Sequence, residues 1–288
     1  NNGAIIYAVK DSIAGINNLG VAQTMYLDAS TSFYDNQTLS PVPSSYPQET
    51  DVKAVTSATS PGFLERFVSG PVNTTSLPAG TWIVKTYGST SNATGDNRIV
   101  TRINKRVLME GMTGTFTGAG ATRTFTVTGG TPFVPGDATS SILTASLIET
   151  PNQTAWISGY ISSSVVTVTL TDVTYVNESN VSLNALYYLL FSTTSNDLTT
   201  SPTLSEISSA QSAFTVNVTD RLVAAYFAKT DAVSSRNISL YHGGSVNYSN
   251  VVTTLGSTGI DTTSLSNRIN QKQNISDTNT VDATRYWV

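Results

Sequence analysis

The stretch Arg98-Ile99-Val100-Thr101-Arg102-Ile103-Asn104-Lys105-Arg106-Val107-Leu108-Met109 decides the fold. Ile99, Ile103, Val107 and Met109 fall on one side of a two-residue alternation, and Arg98, Arg102 and Arg106 on the other. That is the period of a β-strand with one face on a core and the other towards polar surroundings.

Working outward, the same signal repeats. Thr81 to Tyr87 is bounded by Pro78-Ala79-Gly80 and Gly88-Ser89, and Thr122 to Thr128 ends at Gly129-Gly130. Ile142 to Ile148, Ala155 to Ile161 and Val165 to Leu170 follow, the last two joined by Ser162-Ser163-Ser164 as a hairpin loop. Leu186 to Phe191 is apolar throughout and reads as a strand buried on both faces. Phe214, Val216 and Val218 alternate with Thr215, Asn217 and Thr219. A turn at Asp220-Arg221 leads into Leu222 to Ala228, and Asn237 to His242 closes the set before Gly243-Gly244. Eight to ten short strands at this spacing, with no helical period between them, predict an all-β antiparallel sandwich or barrel.

Three segments are expected. Residues 1–75 read as an extended N-terminal arm, stiffened by Pro41, Pro43 and Pro47, with single elements at Ile5 to Val9 and at Gly62 to Phe67. Residues 76–255 hold the sandwich. Residues 256–288 form a polar tail in which Ser264 to Gln271 is the one plausible helix.

Composition narrows the function. Charged residues make up 12% of 288, Cys is 0 and His is 1. Ser, Thr and Asn carry the polarity, and they suit strands and turns. A net charge of −4 gives no electrostatic reason for a nucleic-acid partner, and no run of 18 apolar residues exists to span a membrane. Without Cys there are no disulfides or thiolate metal sites, and the redox compartment stays undetermined. The chain does not begin with Met, and its first ten residues lack a signal pattern. Asn-X-Ser/Thr sequons occur at Asn36, Asn73, Asn92, Asn152, Asn177, Asn180, Asn217, Asn237, Asn247 and Asn274. In a chain this rich in Ser and Thr about one Asn in four matches by chance, so they read as composition.

Leu77-Pro78-Ala79-Gly80-Thr81-Trp82, the run Thr219 to Lys229 and Ser239-Leu240-Tyr241-His242-Gly243-Gly244 resemble, in order and spacing, virus-encoded jelly-roll proteins. Those proteins form capsid decorations, head fibres and tail fibres of large DNA viruses and tailed phages. The resemblance covers about residues 77–255. It implies a jelly-roll sandwich, a place on the virion surface, contacts with other virion proteins and three-fold packing. It brings no catalytic, cofactor or metal residue.

The residues themselves offer few chemical sites. His242, with Ser245 and Asp220, is the only route to a Ser-His-Asp triad; by alternation His242 shares a face with Ile238 and Leu240 and reads as structural. Glu49, Asp51, Glu65, Glu149, Asp172 and Glu178 could supply a carboxylate pair, but no spacing singles one out. No calcium-loop motif surrounds Asp137 or Asp172, and the glycine pairs lack a phosphate-loop context. The Arg98, Arg102 and Arg106 stripe reads as a solvated face, or as a grip for an acidic neighbour or anionic glycan. Trp156 and Tyr160 share a face with Ser158, and either belong to the core or stack on sugar rings or a subunit. Leu222, Ala224 and Tyr226 face one side of a strand and Val223, Ala225 and Phe227 the other, so one apolar face needs a cover. The chain's own arm could supply it, or a second subunit.

The expectation is thus a homo-oligomer without catalysis, cofactor or metal, and the resemblance implies that it is a virion structural protein and a trimer. A carbohydrate-binding adhesin using Trp156 and Tyr160 on a host-surface glycan is the alternative, and a glycoside-active enzyme the more distant one.

Overall fold

The computed structural model describes residues 22–31, 37–134, 145–151, 154–170 and 178–256. Gln23–Thr254 form one compact unit, and the account below concerns that body. Its first strands are β1 (Ala22–Thr31), β2 (Gln37–Ser40), β3 (Glu49–Val55), β4 (Gly62–Pro71), β5 (Ser76–Leu77), β6 (Gly80–Thr90) and β7 (Arg98–Leu108). There follow β8 (Thr113–Thr117), β9 (Thr122–Thr128), β10 (Ala145–Glu149), β11 (Thr154–Ser162), β12 (Val165–Leu170), β13 (Val181–Ser182) and β14 (Ala185–Thr194). The last are β15 (Thr203–Gln211), β16 (Phe214–Thr215), β17 (Arg221–Lys229), β18 (Arg236–His242) and β19 (Asn250–Gly256). No helix occurs among the described residues. The described residues form an all-β body, as the alternation predicts.

Most strands join one large mixed sheet. One path runs antiparallel through β4, β17, β7, β14, β10, β11, β12, β9 and β8, and β2 adds to β4 in the parallel sense. A second path pairs β15 with β6, β6 with β18 and β19, and β18 with β3. These pairings do not establish the eight-stranded jelly-roll order that the resemblance implies. Within the described part of residues 1–75, β4, which holds Gly62 to Phe67, docks into the sheet between β2 and β17. The expected elements at residues 5–9 and 264–271 lie outside the described residues.

The two paths face each other across a first core. Trp82 on β6, fully buried, meets Phe191 on β14 edge to face at 5.3 Å, and Phe67 on β4 meets the ring of His242 on β18 at 5.0 Å. The layers close tightly at Gly88: a Cβ there would lie 2.7 Å from Ile99 Cδ1 and 2.9 Å from Leu198 Cδ2. A second core, built on Phe116, Phe125, Ile148, Val166, Val168 and Leu186, lies under β8 to β12.

Between the two sits β17, buried from Leu222 to Ala228. Its two apolar faces have two different covers, both from this chain. Leu222, Ala224 and Tyr226 turn into the first core and are 1%, 0% and 0% exposed. On the opposite face Val223 packs with Val68, Leu147, Ala185 and Tyr187, with Trp156 against that cluster, and Phe227 stacks on Trp156 at 5.4 Å. The cover for the second face is thus β10 and β11 folded back over it. This removes Leu222, Ala224 and Tyr226 as oligomer contacts and, with them, the packing argument for a second subunit. The β10–β11 return is a long-range event that strand-by-strand alternation does not reveal.

Candidate functional site

The polar group that the packing does not explain lies where β3 meets β4. Its origin is a bulge. In the β4–β17 ladder Phe63 pairs with Phe227 and Glu65 with Tyr226, so Leu64 is an extra residue and the register shifts. Without it Phe63 and Glu65 would share a face. With it, Phe63 meets Phe227 on the β11 side at 5.7 Å, and Glu65 turns inward beside Tyr226 and Phe67. From the opposing layer, β18 pairs Leu240 with Asp51 and thereby sets Asp51 on the same interior face.

His242 Nε2 lies 2.8 Å from Asp51 Oδ2; the His side chain is fully buried and Asp51 is 23% exposed. The imidazole therefore sits behind the carboxylate, which reaches the solvent. Burial raises the Glu65 pKa above the usual carboxylate range. The backbone N–H of Arg66, donating to Oε1 at 2.7 Å, works against that shift, and the charge of Asp51 adds to it. The hydroxyl of Tyr226 is fully buried with no hydrogen-bond partner among the described residues, and burial pushes its pKa up. Neither nitrogen of His242 makes a hydrogen bond to a described residue, so its 2.8 Å contact with Asp51 Oδ2 is a close approach of two polar groups without hydrogen-bond geometry. The two carboxyls of this seam thus sit in different surroundings: burial holds the Glu65 pKa above the usual carboxylate range, while Asp51 lies 2.8 Å from a buried imidazole. Gly62 lets β3 close over β4 at this seam, since a Cβ there would lie 2.6 Å from Val55 Cγ1.

The residues singled out from sequence lie elsewhere and do something else. Arg98 is 34% exposed and pairs with Asp96 and, at 3.1 Å, with Asp197. Arg102 lies over the rings of Trp156 and Phe227, at 5.2 and 4.8 Å. Arg106 is 1% exposed and grips Glu149 through two bonds, Nε to Oε2 at 3.0 Å and Nη2 to Oε1 at 2.6 Å. The stripe is therefore split: β10 and β11 cover Arg106 and Arg102, through Glu149 and Trp156, while Arg98 stays partly exposed in its pairs with Asp96 and Asp197.

Trp156 is half-buried between Arg102 and Phe227 and is not an open platform for sugar. Tyr160 is 40% exposed beside a depression of about 10 Å³ shared with Phe133, Val134, Ile157 and Val166, room for about one water. The Ser245, Asp220 and His242 triad does not form. Asp220 accepts from the backbone N–H of Asn217 at 2.8 Å and lies 4.0 Å from Lys105. Among the described residues no group of three or more His, Asp or Glu side chains is placed to hold a metal. No helix among them is long and apolar enough to cross a membrane.

Asp51 and Glu65 are visible in the sequence as acids, but their meeting is not. The one local clue is the broken alternation of Phe63-Leu64-Glu65-Arg66-Phe67-Val68, two apolar, two charged, two apolar, which is the mark of a bulge.

Solved structures that match parts of this chain include an aminopeptidase from the marine sediment archaeon Thaumarchaeota archaeon, at 7% identity and a TM-score of 0.41. An α-amino acid ester hydrolase and a CocE/NonD family hydrolase from Staphylococcus aureus each match at 12% identity and a TM-score of 0.35. Each match covers 81% of this chain and 36% of the other, so the chain spans about a third of the length of those proteins. No family model and no curated protein matches the chain. At these TM-scores the likeness assigns no activity here. The three structures are hydrolases, however, and none is a virion protein. The virion-surface function, the virion location and the expectation of no catalysis are withdrawn on that finding.

Proposed function

We propose that the described body is a β-sandwich carrying a general acid–base site on the β3–β4 seam. The facing contacts Trp82–Phe191 and Phe67–His242 support the sandwich. One observation supports the site: a carboxyl with a raised pKa, Glu65, beside a second carboxyl held 2.8 Å from a buried imidazole. In this reading Glu65 donates a proton to a leaving oxygen or nitrogen of the substrate. Asp51, ionised, takes a proton from the attacking water, and His242 positions Asp51. The reaction class is hydrolysis assisted at both ends by proton transfer, which needs no activated serine or thiol.

The test is turnover of chromogenic acetals, esters and amides by the full chain and by Glu65→Gln, with circular dichroism confirming that both fold. The reading expects a loss of about 10²-fold or more in the variant, the scale of one positioned acid. It also expects wild-type activity to fall as pH rises through the elevated Glu65 pKa. No turnover by wild type on any of the three classes, or equal turnover by Glu65→Gln, would overturn it.

A further inference from the structure

The asparagines of this chain divide by exposure in a way composition does not explain. The sequence holds 22 Asn and 82 Ser or Thr among 288 residues, and ten of the Asn stand in Asn-X-Ser/Thr motifs where about six would by chance. Among the described residues, sequon asparagines 73, 92, 180, 217 and 237 are exposed, and only Asn247 is half-buried. Outside sequons the pattern reverses. Asn97, Asn104 and Asn250 are buried at 0%, 3% and 6%, Asn184 is half-buried, and only Asn196 is exposed.

Among the exposed five, Asn73, Asn92 and Asn180 lie outside the strands, whereas Asn237 lies within β18. Asn73 and Asn180 adopt positive φ, 53° and 56°, outside the strands; Asn247 does so too, at 53°, so exposure and not φ separates the two groups. Asn92 Oδ1 accepts from the backbone N–H of Thr94 at 2.8 Å, an Asx turn that holds the carboxamide against the Thr of its own motif. The motif hydroxyls Thr75, Thr94, Ser182 and Thr219 are exposed, and Ser239 is half-buried. The sixth motif is the contrast. Ser249 is fully buried, donates to the Tyr241 carbonyl at 2.7 Å and accepts from the Tyr87 N–H at 2.9 Å.

We propose that Asn73, Asn92, Asn180, Asn217 and Asn237 are acceptors for N-linked oligosaccharide and that Asn247 is not. In the transfer the carboxamide nitrogen attacks the anomeric carbon of a sugar carried on a lipid diphosphate. The new N–C bond forms as the anomeric C–O bond to the diphosphate breaks, the carrier leaves, and the nitrogen gives one proton to the transferase's base. Sugar at these five positions projects into water and displaces no packed side chain.

The test is secretion of the full chain from a eukaryotic cell. Intact mass is read before and after an amidase that removes N-glycans, and peptides are mapped to locate them. Occupancy at the five sites is the expected result, each rung of the mass ladder being lost with Asn73→Gln, Asn92→Gln, Asn180→Gln, Asn217→Gln or Asn237→Gln. Where a Gln variant is not secreted, Thr75→Ala or Thr94→Ala removes the motif while keeping the Asn at its turn. A secreted chain without mass shift, or with sugar at Asn247 while the five stay bare, overturns the proposal.

Discussion

Two buried clusters in this body each hold a carboxylate, and they are built on opposite plans. Around Glu149 everything is closed. Arg106 grips it through two bonds, the Tyr187 hydroxyl donates to Oε2, and Arg106, Glu149 and Tyr187 are each 1–2% exposed. Burial opposes the Arg106 charge, yet Glu149 outweighs it and holds the guanidinium above its usual pKa. The Tyr187 phenol is pushed up to about 12, by burial first. Around Asp51 the cluster is open on one side and unfinished on the other. The carboxylate reaches solvent, Glu65 resists ionisation, and Tyr226 and His242 Nδ1 have no hydrogen-bond partner among the described residues. A carboxylate held by a two-bond guanidinium grip and a phenol under full burial fixes two layers together. Incomplete pairing beside solvent leaves protons that can move.

The sharpest break between the two is deletion of the acid. Glu149→Ala strands Arg106 as an uncompensated buried charge and is expected to destabilise the body by about 3–5 kcal/mol. Glu65→Ala removes a group whose charge the fold disfavours and is expected to change stability by less than about 1 kcal/mol. Urea unfolding of the two variants reads the contrast. Similar losses would show that the seam is as structural as the Arg106 cluster.

The tyrosines give a second, smaller comparison. Tyr187→Phe takes a donor from buried Glu149 and should cost about 1–3 kcal/mol, the penalty for a buried polar group left short of partners. Tyr226→Phe removes a buried hydroxyl that makes no hydrogen bond to the described residues, and is expected to be neutral or stabilising by up to about 1 kcal/mol. A loss above 1 kcal/mol for Tyr226→Phe would mean that its hydroxyl is engaged in the folded protein.

How far the sequence could see follows from the same contrast. Strand existence was local and legible: Thr122–Thr128 and Val165–Leu170 are read to the residue, and Arg98 to Met109 is β7 almost entire. The tightly packed Leu222 to Ala228 was read correctly as apolar on both faces, but its second cover is β10 and β11 of the same chain and not a subunit. That cover depends on chain return over tens of residues, about which alternation is silent. The burial of Arg106 is out of reach of alternation for the same reason, because it meets Glu149 from 43 positions away. Weak strands escaped as well: β15, Thr-Leu-Ser-Glu-Ile-Ser-Ser-Ala-Gln, carries few apolar residues because of the described strands only β6 forms a ladder with it. The seam needed three nonlocal facts at once, namely the bulge at Leu64, the β3–β18 register and the approach of the two layers.

The smallest effect is a slope with pH, and its sign separates the clusters. Glu65 has a folded-state pKa above its ordinary value, from burial first, with Asp51 adding to it. The fold therefore binds that proton more tightly than the unfolded chain does. Its contribution is fully present below the ordinary Glu pKa of about 4.3 and is lost as pH rises through the elevated folded value. Glu65→Gln cannot titrate, so this decline disappears in the variant. Over that window the difference in unfolding free energy between Glu65→Gln and the parent should grow with pH and then level off. Tyr187→Phe should show no such trend there, because the Tyr187 phenol titrates only near 12. Urea midpoints measured in steps from mildly acidic to neutral pH read the trend directly. A parent and a Glu65→Gln variant with parallel profiles would place the Glu65 proton in ordinary water, and the acid of the proposed site would be gone with it.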